Sequence, residues 1–508
     1  MPPNRPLAIR LNPVDDVGVA LVDLEPGQAS GIADVAARER IPGGHKFALR
    51  EIGAGECVRK LGLSIGNATR VIRIGDHVHL HNLAYARKAT TRSASVPAWD
   101  PTPGTMDYHF MGYRRADGSV GTRNYLGVIP TVNCAATVAR LIAQAFRGRL
   151  AGASVEGLDG VIALAHQHGC SVREDGPGMM LLRRTMIGYA THANFAGVLL
   201  VGLGCEDNQI DALLEACDPA ALARVRRLVI QEEGGTQASV TAGVALLESM
   251  LSAVEVARRV AVPARHLCVG LQCGGSDGLS TLSANPALGF AIDRVVRGGG
   301  TAILSETPEL FGAESLLLAR AADPATAARL ASLLAWWQDH AAADGGTLDA
   351  NPSPGNRAGG ITTIFEKSIG AAAKAGHAPL SGVFGYAEKV DRSGLVFMDS
   401  PGFDPVSATG QIASGANIIC FTTGRGSCFG SAPVPSLKLS SNSELYRRMA
   451  DDIDVNCGVV LDGAADLNEM GEQIFERLLA TASGELTRSE VFGYGEAEFI
   501  PWVPGAMY

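Results

Sequence analysis

The sequence has no pair of cysteines at CxxC spacing, no apolar run of the ~18 residues that a membrane-spanning helix needs, and no GxxxxGK[ST] nucleotide-binding motif. Its 10 cysteines are spread over 508 residues, unlike the dense disulfide framework of a small secreted protein. Residues 1–10 hold three prolines and two arginines with no apolar segment after them, so we expect no secretory signal. These absences predict a cytoplasmic protein with reduced thiols and no membrane partner.

The sequence also has few charged residues and no large excess of either sign. Charged residues make up 19% of the chain, and 43 Lys and Arg stand against 52 Asp and Glu, a formal net charge of −9. No basic stripe is present, so a nucleic-acid partner is not expected. A hydrophobic content of 46% excludes a disordered chain, and the length predicts about two to four domains. Glycine, with 61 residues, is in excess and gathers in clusters after apolar runs, where a backbone turns tightly or approaches a ligand.

Residues 1–90 predict a small β-rich domain, because short apolar segments alternate there with Gly, Asn and Asp turns. One helix is expected within it, at Ile32–Arg40, ended by Pro42-Gly43-Gly44. The expected strands are Val17–Val22, Lys46–Ile52, Val58–Leu61, Val71–Ile74 and His77–Leu83.

The rest of the chain has a different pattern. Residues 91–105 are rich in Thr, Ser and Pro and predict a linker. From residue 106 onward apolar strands alternate with longer helical segments, which predicts mostly parallel sheets covered by helices on both faces. We divide this part into α/β domains at 106–262 and 263–508. The expected fold class is therefore α/β, with a small N-terminal β domain followed by two α/β units.

Polar and thiol side chains follow most of the predicted strands. Ligands collect at the carboxyl ends of the strands in such sheets. Any one of these segments could be an ordinary capped turn, but seven together predict a functional edge. The segments are 131–134, 166–170, 202–206, 231–235, 272–277, 305–306 and 422–428.

Three histidines alternate with apolar residues near the end of the β-rich domain, at His77, His79 and His81. If this segment is a strand, the three imidazoles share one face. Neutral imidazoles bind Fe, Zn and similar ions, and His45 could complete a ligand set. A solvent-exposed polar face is the alternative interpretation.

Five cysteines each follow a predicted strand, at Cys134, Cys170, Cys205, Cys273 and Cys428. Cysteine often serves as a small buried apolar residue. Three strand-end thiols close in space could instead hold an iron–sulfur cluster, although no sequence spacing here supports one.

Cationic and acidic side chains complete the candidates. Arg123 and Arg425 lie in Gly-containing segments, where a guanidinium can bind a carboxylate or phosphate through two parallel hydrogen bonds. Each could equally form a structural ion pair. Lys438 is a further cation, and the residues alone do not choose among the acids. The acidic candidates are Glu206, Asp207, Glu232, Glu233, Asp277, Glu306, Glu366 and Asp399.

In chain order, these segments resemble the altronate/galactarate dehydratase family over nearly the whole length. The front domain is similar to the family's small SAF (β-clip) domain and the remainder to its catalytic part. The motifs are Gly44-His45-Lys46, Ile65-Gly66-Asn67-Ala68-Thr69, His79-Leu80-His81-Asn82, Gly121-Thr122-Arg123-Asn124-Tyr125, His168-Gly169-Cys170, Gln231-Glu232-Glu233-Gly234-Gly235-Thr236, Gln272-Cys273-Gly274-Gly275-Ser276-Asp277, Asn351-Pro352-Ser353-Pro354-Gly355-Asn356, Gly359-Gly360-Ile361-Thr362-Thr363, Glu366-Lys367 and Thr422-Thr423-Gly424-Arg425-Gly426.

The resemblance implies a lyase that dehydrates a sugar acid to a 2-keto-3-deoxy product with Fe²⁺ or Mn²⁺. It implies His45, His79 and His81 as metal ligands, whereas the family has an aromatic residue at the position of His77. From the chemistry of this reaction we expect proton transfer by His168, assisted by Glu232 or Lys438, and substrate binding by Arg123, Asn124, Arg425 and Ser427. Further candidate metal ligands are Cys134, Cys170 and Cys273.

One segment departs from the family pattern and leaves the substrate open. Ser427-Cys428-Phe429-Gly430 differs from the Thr-Pro form of the sugar-acid enzymes and is closer to the sulfolactate sulfo-lyases, which eliminate sulfite. The sequence also admits an iron–sulfur dehydratase, because of its strand-end cysteines, and a non-catalytic carbohydrate-binding protein. The expected partner is a small hydroxy-acid substrate, and a homodimer is possible.

Overall fold

The computed structural model describes residues 6–86, 99, 108–150, 155–215, 217 and 219–505. Apart from Trp99, the linker predicted at 91–105 lies outside the described residues. The domain boundaries given above therefore stay predictions. Within the described residues, the chain has an N-terminal β domain and mixed α/β structure with parallel sheets, as predicted.

Two small antiparallel sheets form the N-terminal domain. Its strands are β1 (Ala8–Ile9), β2 (Val17–Ala20), β3 (Lys46–Ala48), β4 (Cys57–Lys60), β5 (Leu63–Ala68), β6 (His77–Val78) and β7 (Leu83–Ala84). The strand orders are β1-β2-β3-β6 and β4-β5-β7.

The helix predicted at Ile32–Arg40 is wrong. This segment forms turns and an isolated antiparallel bridge between Ala29 and Ala36. Ala33 and Asp34 adopt positive φ angles of 48° and 58°, and consecutive left-handed residues interrupt a right-handed helix. The apolar side chains that suggested a helix face instead pack in a small β core with Leu24 and Phe47.

The middle of the chain builds a parallel sheet covered on both faces. The strands of this part of the chain are β8 (His109–Arg114), β9 (Val120–Gly121), β10 (Tyr125–Pro130), β11 (Gly160–Ala163), β12 (Phe195–Gly202), β13 (Val225–Val229) and β14 (Val260–Pro263). Its helices are α1 (Ala136–Leu150), α2 (Pro177–Ala190), α3 (Ile210–Glu215), α4 (Pro219–Leu222), α5 (Ile230–Glu233) and α6 (Thr236–Glu255). The parallel order is β11-β10-β12-β13, while β14, β8 and β9 form a separate antiparallel sheet.

One helix, Thr236–Glu255, is long and apolar enough by length and composition to cross a membrane. The core helix of a globular domain passes the same test. Here Val244, Leu247, Met250 and Val254 are buried in the core that this helix shares with α1 and the parallel sheet.

The last part of the chain builds a seven-stranded parallel sheet. Its strands are β15 (Cys268–Cys273), β16 (Thr301–Leu304), β17 (Leu380–Phe384), β18 (Gly394–Met398), β19 (Ile418–Thr423), β20 (Ser436–Ser440) and β21 (Val455–Asn456). Its helices are α7 (Ala284–Arg297), α8 (Ser315–Leu318), α9 (Pro324–Ala343), α10 (Pro354–Ala358), α11 (Ile364–Ala373), α12 (Asp404–Ala413), α13 (Ser443–Arg448), α14 (Leu467–Ala482) and α15 (Arg488–Phe492). The strand order is β17-β18-β16-β15-β19-β20-β21.

The N-terminal domain packs against this last sheet rather than standing apart. Ile65 and Val78 share a buried apolar cluster with Phe365 and Ile369 of α11. This packing brings the histidine-bearing segment of the β domain to the loops around α10 and to the carboxyl end of β15.

Candidate functional site

Three imidazoles of the N-terminal domain form a cluster. His45 precedes β3, His77 begins β6, and His79 lies in the turn that follows. Their ring centroids are 5.0 to 5.3 Å apart, and Nδ1 of His45 lies 2.9 Å from Nε2 of His77. His81 joins at the edge, with its ring centroid 5.5 Å from that of His77. His77 therefore lies at the centre of the group.

A turn, not a strand, brings these rings together. The strand predicted over His77–Leu83 is wrong, because β6 ends at Val78 and the chain then turns. Asn82 holds the turn: its Oδ1 accepts a hydrogen bond from the backbone N–H of His79 at 2.9 Å, and its Nδ2 donates to the carbonyl of His77 at 2.8 Å. The imidazoles lie together as predicted, but a turn held by Asn82 brings them together and not one face of a strand.

Two of the rings are oriented by carbonyl groups of α10. His45 Nε2 lies 3.1 Å from the carbonyl oxygen of Ala358, and His79 Nε2 lies 2.9 Å from that of Arg357. A carbonyl oxygen only accepts, so Nε2 carries the proton in both rings and Nδ1 carries a lone pair. Histidines that bind metals are commonly held by such a bond through the other nitrogen.

The pKa values of His45, His77 and His79 all lie below the usual value, so these three imidazoles are neutral at ordinary pH. Burial is the largest cause, and repulsion from neighbouring imidazoles and from Lys46 adds to it. The pKa of His77 falls to about 3 and that of His79 to about 4, and the pKa of His45 also lies below its usual value. Only a neutral imidazole has a lone pair to give a metal, so the donor set fits a divalent ion.

A buried ion triad fastens this cluster to α11. Glu366 accepts from Lys46 Nζ at 2.9 Å and from Lys60 Nζ at 2.6 Å, and all three side chains are at most 3% exposed. Thr362 donates to the same carboxylate, and Lys46 also donates to the carbonyl of Gly360. The two ammonium groups outweigh burial and hold the pKa of Glu366 well below its usual range, while burial lowers the pKa of Lys46 to about 8.

Glycines allow the two domains to touch backbone to backbone. A Cβ at Gly278 or Gly360 would overlap the carbonyl oxygen of Gly44, the residue before His45. A Cβ at Gly359 would lie 3.0 Å from Asp277 Cβ and 3.4 Å from Arg425 Cδ. The loops after β15, α10 and β19 therefore meet within a few ångströms of the imidazole cluster.

Arg425 is an available cation of this junction. Its backbone N–H donates to the carbonyl of Gly275 at 2.9 Å, which fixes the loop after β19. Its side chain is exposed, and within the described residues its guanidinium has no hydrogen-bond or ion-pair partner. An arginine fork in this state can bind a ligand carboxylate through two hydrogen bonds. Ser427, two residues further on, is half-buried and accepts from the backbone N–H of Phe429 at 3.0 Å.

A second polar cluster is fully buried at the carboxyl ends of β15 and β16. The ligand atoms of Cys273, Glu306 and Glu309 all lie within 4.8 Å of one another. Lys374 Nζ donates to Cys273 Sγ at 3.0 Å and lies 3.7 Å from Glu306. Lys367 Nζ lies 2.6 Å from Glu309 Oε1. The ammonium groups of Lys367 and Lys374 therefore already lie where a cation would bind to these acids.

Glu306 is the strained member of this buried cluster. Its φ is 70°, in the left-handed region, and among the described residues neither carboxylate oxygen has a hydrogen-bond partner although both are buried. Burial, then repulsion from Glu309, raises the pKa of Glu306 well above its usual value. The same causes raise the pKa of Asp404, at the start of α12, to about 7. The cluster can therefore hold protons at neutral pH.

Sequence reasoning found part of this cluster and missed the rest. Cys273 and Glu306 were candidates, whereas Glu309, Lys374 and Asp404 were not. Spacing could have indicated two of the missing groups. Lys367 and Lys374 are seven residues apart, which places both on one face of α11, and Glu309 follows Glu306 by one short helical turn.

Arg123 and Asn124 do not lie open to a substrate. Both are 0% exposed. The Arg123 guanidinium pairs with Glu490 at 2.6 Å and donates to the carbonyls of Thr122, Thr481 and Glu485. Asn124 is bound to Asp159 and Gly157 through its backbone N–H and its amide. We therefore correct the predicted substrate-binding role of this pair to a structural one, since their donors are already satisfied within the protein.

The structure places the three predicted proton-transfer residues on different elements. His168 follows β11 at the middle sheet; it is half-buried, burial lowers its pKa, and its buried Nδ1 has no hydrogen-bond partner in the part of the chain that the structure describes. Glu232 is exposed on α5. Lys438 is buried in β20, where its Nζ donates to the carbonyl of Phe429 at 2.7 Å and to the hydroxyl of Tyr494 at 3.3 Å. The predicted further ligands divide likewise: Cys134 and Cys170 are exposed at the middle sheet, and Cys273 is buried at the last.

Comparison with protein families gives three matches in chain order. Residues 6–86 match the altronate/galactarate dehydratase SAF domain. Residues 112–255 match the D-galactarate dehydratase/altronate hydrolase second domain, and residues 264–507 match the D-galactarate/altronate dehydratase C-terminal domain.

Curated relatives are similar over nearly the whole chain. Altronate dehydratases of Bacillus subtilis and Escherichia coli are 35% and 36% identical, over 95% of this chain and 96% of each relative. The galactarate dehydratase (L-threo-forming) of Escherichia coli is 34% identical over 88% of this chain and 87% of its own length.

Proposed function

This chain belongs to the D-galactarate/altronate dehydratase family, and from that premise we propose that it is a hydro-lyase that removes water from a sugar acid. The substrate is an aldonate or an aldarate, and the product is a 2-keto-3-deoxy acid. The observation that carries the proposal is one junction in which neutral, clustered imidazoles face the loops that present an unpaired arginine.

The substrate carboxylate binds at Arg425 in this proposal. Its fork is exposed and unpartnered within the described residues, and the backbone of the loop is held by Gly275. Two parallel hydrogen bonds would fix the carboxylate plane and so orient the C2–H bond beside it. Ser427 lies in the same loop and would contact a substrate hydroxyl.

The proposed metal is Fe²⁺ or Mn²⁺, held by His45, His79 and His81, with His77 positioned to join them. The carbonyl bonds to Nε2 of His45 and His79 and the lowered pKa values are the features that fit such an ion. When bound, the ion would supply Lewis acidity toward substrate oxygens.

Dehydration requires one proton to leave C2 and one hydroxide to leave C3. The electron pair of the C2–H bond forms the C2=C3 double bond, the hydroxide leaves as water after taking up a proton, and the resulting enol becomes the 2-keto acid. We keep His168 as the proposed base, because an imidazole held neutral by burial with a free Nδ1 can accept the C2 proton. Glu232 or Lys438 would assist; the bonds of Lys438 to Phe429 and Tyr494 suit it to positioning.

A sulfite-eliminating lyase is the second candidate. The Ser427-Cys428-Phe429-Gly430 segment, which departs from the form typical of the sugar-acid enzymes, favours it. The first half of the reaction is unchanged, since a carboxylate still has to be bound and a C2 proton removed. Only the leaving group differs.

The deciding experiment is an anaerobic substrate panel with the Fe²⁺-loaded full chain. Aldonic acids, aldaric acids and sulfolactate are supplied separately, and 2-keto product and sulfite are both measured. A 2-keto-3-deoxy product from one sugar acid supports the proposal, and sulfite release selects the second candidate. Tight binding of a sugar acid without turnover would contradict both and indicate a carbohydrate-binding protein.

A further inference from the structure

Three exposed cysteines follow three neighbouring strands of the middle sheet. Cys134 comes after β10, Cys170 after β11 and Cys205 after β12, and the strand order β11-β10-β12 makes these strands adjacent and parallel. Their carboxyl ends therefore meet at one edge. Of the ten free cysteines, four are exposed, and three of those four lie at this edge.

Hydrogen bonds tie the three cysteine-bearing loops into one unit. The backbone N–H of Asn133 donates to the carbonyl of His168 at 3.0 Å, and that of Asn208 donates to the carbonyl of Gly169 at 3.1 Å. The side-chain amide of Asn208 donates to the carbonyl of Thr131 at 2.9 Å. Each of the three loops is therefore hydrogen-bonded to the other two, and every bonded residue lies within three positions of a cysteine.

The backbone on either side of Cys170 is held in an uncommon conformation. Gly169 has φ 112° and Ser171 has φ 56°, and a Cβ at Gly169 would overlap the carbonyl oxygen of Thr131. Strained positions of this kind persist when the surrounding structure over-determines them, and they concentrate at ligand sites. The backbone N–H of Ser171 is in turn bound to Asp207 of the third loop at 2.7 Å.

The acid of this edge is already occupied. Glu206 is buried, accepts from Thr131 Oγ1 at 2.6 Å, and accepts from the backbone N–H groups of Leu203 and Gly204. It therefore caps the loop that carries Cys205 and does not offer its carboxylate to a ligand. The three thiols are exposed ligand atoms of this edge, and Cys205 Sγ also accepts a hydrogen bond from the side-chain amide of Gln231 at 3.5 Å.

A single metal ion does not suit this arrangement. Among the described residues, the one group whose candidate ligand atoms all lie within 4.8 Å is Cys273, Glu306 and Glu309, so the three edge thiols do not converge on one point. An iron–sulfur cluster has no such requirement, because each thiolate binds a different iron. Cys134 also lies in the short turn, Asn133–Ala135, that leads directly into the 15-residue helix α1.

We propose that Cys134, Cys170 and Cys205 hold a [4Fe–4S] cluster through three thiolates, which leaves the fourth iron open to an oxygen ligand such as a hydroxyl or a carboxylate. This site is separate from the imidazole cluster, and the assignment does not depend on which substrate the protein uses. It also gives a reason for three exposed thiols at one edge, which would otherwise be open to oxidation.

The test measures iron and acid-labile sulfide in the full chain, produced without oxygen and reconstituted with Fe²⁺ and sulfide. We expect about four of each per chain, with the broad visible absorption of thiolate-bound iron. Cys134→Ser, Cys170→Ser and Cys205→Ser should each lose both. Cys217→Ser, a change in the same part of the chain at a thiol that is bonded to the carbonyl of Leu213, should keep both. Iron without sulfide in the wild-type protein, or full sulfide in the three variants, would overturn the assignment.

Alkylation of the wild-type protein gives a readout that needs no substitution. In the loaded protein, Cys134, Cys170 and Cys205 should be protected from iodoacetamide and become reactive after the cluster is removed by a chelator and an oxidant. Cys428, which is exposed at the other sheet, should react in both states. Equal reaction of all four in the loaded protein would refute a cluster at this edge. His79→Ala, which addresses the imidazole site, should leave the sulfide content unchanged, so failure of the proposed function and failure of the cluster are told apart.

Discussion

Nδ1 of His45 faces Nε2 of His77 at 2.9 Å, and only one proton can lie between them. Nε2 of His45 is engaged with the carbonyl of Ala358, so Nδ1 accepts and His77 donates. A second proton on this pair would set two N–H groups against each other beside the charge of Lys46. A metal ion could therefore replace the proton that lies between His45 Nδ1 and His77 Nε2.

We expect His79→Ala to lose bound Fe²⁺ and turnover together. The substitution removes a neutral imidazole whose Nε2 is held by Arg357. The affinity for Fe²⁺ should fall by at least about a hundredfold, since even loss of an outer hydrogen-bond partner costs ~10–100-fold. Iron content and initial rate are measured on the same preparation.

Leu80→Ala is the matched control for this change. Leu80 is the next residue in the same turn, and its side chain is 44% exposed. It should retain both iron and activity. A metal-free His79 variant with full activity would eliminate the histidine site.

The imidazole cluster shows how far the sequence leads. The set His45, His77, His79 and His81 could be selected because alternation would place three imidazoles on one face of a strand, and the structure brings these rings together. The turn that does so depends on the bonds of Asn82 and could not be derived from alternation. The helix expected at Ile32–Arg40 failed for a related reason: apolar spacing carries no information about the left-handed residues Ala33 and Asp34.

The parallel sheets could be predicted from the sequence, but the pairing of side chains between the domains could not. Strand–helix alternation after residue 106 is a local pattern, and the sheets follow from it. The bonds of Lys46 and Lys60 to Glu366 join residues about 300 positions apart, which no local pattern reports. The burial of Arg123 could not be foreseen for the same reason, because its partner Glu490 lies 367 positions away in the sequence.

Arg425→Lys should weaken substrate binding more than it slows chemistry. Lysine keeps the charge but loses the planar fork, so one of two parallel hydrogen bonds to the carboxylate is lost. A hydrogen bond to a charged group contributes ~1.5–3 kcal/mol, which corresponds to a rise in KM of roughly 10–100-fold. Steady-state kinetics on the sugar acid found in the panel measure the change.

Arg448→Lys is the control for that experiment. Arg448 is exposed at the end of α13, and the same substitution there should leave KM unchanged. Unaltered kinetics in Arg425→Lys would exclude this side chain as the carboxylate ligand.

Glu366→Gln should destabilise the attachment of the N-terminal domain. The carboxylate balances two buried ammonium groups, and an amide would leave Lys46 and Lys60 uncompensated. Removing one partner from a buried ion pair costs about 3–5 kcal/mol, whereas the surface change Glu248→Gln should cost less than about 1 kcal/mol. Urea unfolding of both variants is compared, and equal midpoints would show that the triad does not hold the domain.

The same carboxylate should make part of the stability depend on acid. The pKa of Glu366 is depressed in the folded state, so its contribution is complete above the unfolded value of ~4.3 and is lost as the pH falls below it. The stability difference between wild type and Glu366→Gln should therefore shrink as the pH is lowered from 5 toward 3. A difference that stays constant over this range would contradict the depressed pKa.

Asp404→Asn should have the opposite pH signature. Burial, followed by repulsion from Glu309, raises the folded pKa of Asp404 to about 7, above its unfolded value of ~3.9. The folded protein then holds a proton between these values that the unfolded chain has released, so this group adds stability as the pH falls from 8 to 5.5. The asparagine variant lacks that gain, and its stability relative to wild type should be higher at pH 8 than at pH 5.5 by on the order of 1–2 kcal/mol. Asp344→Asn, at an exposed carboxylate after α9, should show no such trend. Parallel pH dependence in wild type and Asp404→Asn would mean that this carboxyl group does not hold a proton near neutrality, and the buried cluster would then carry its charge without storing protons.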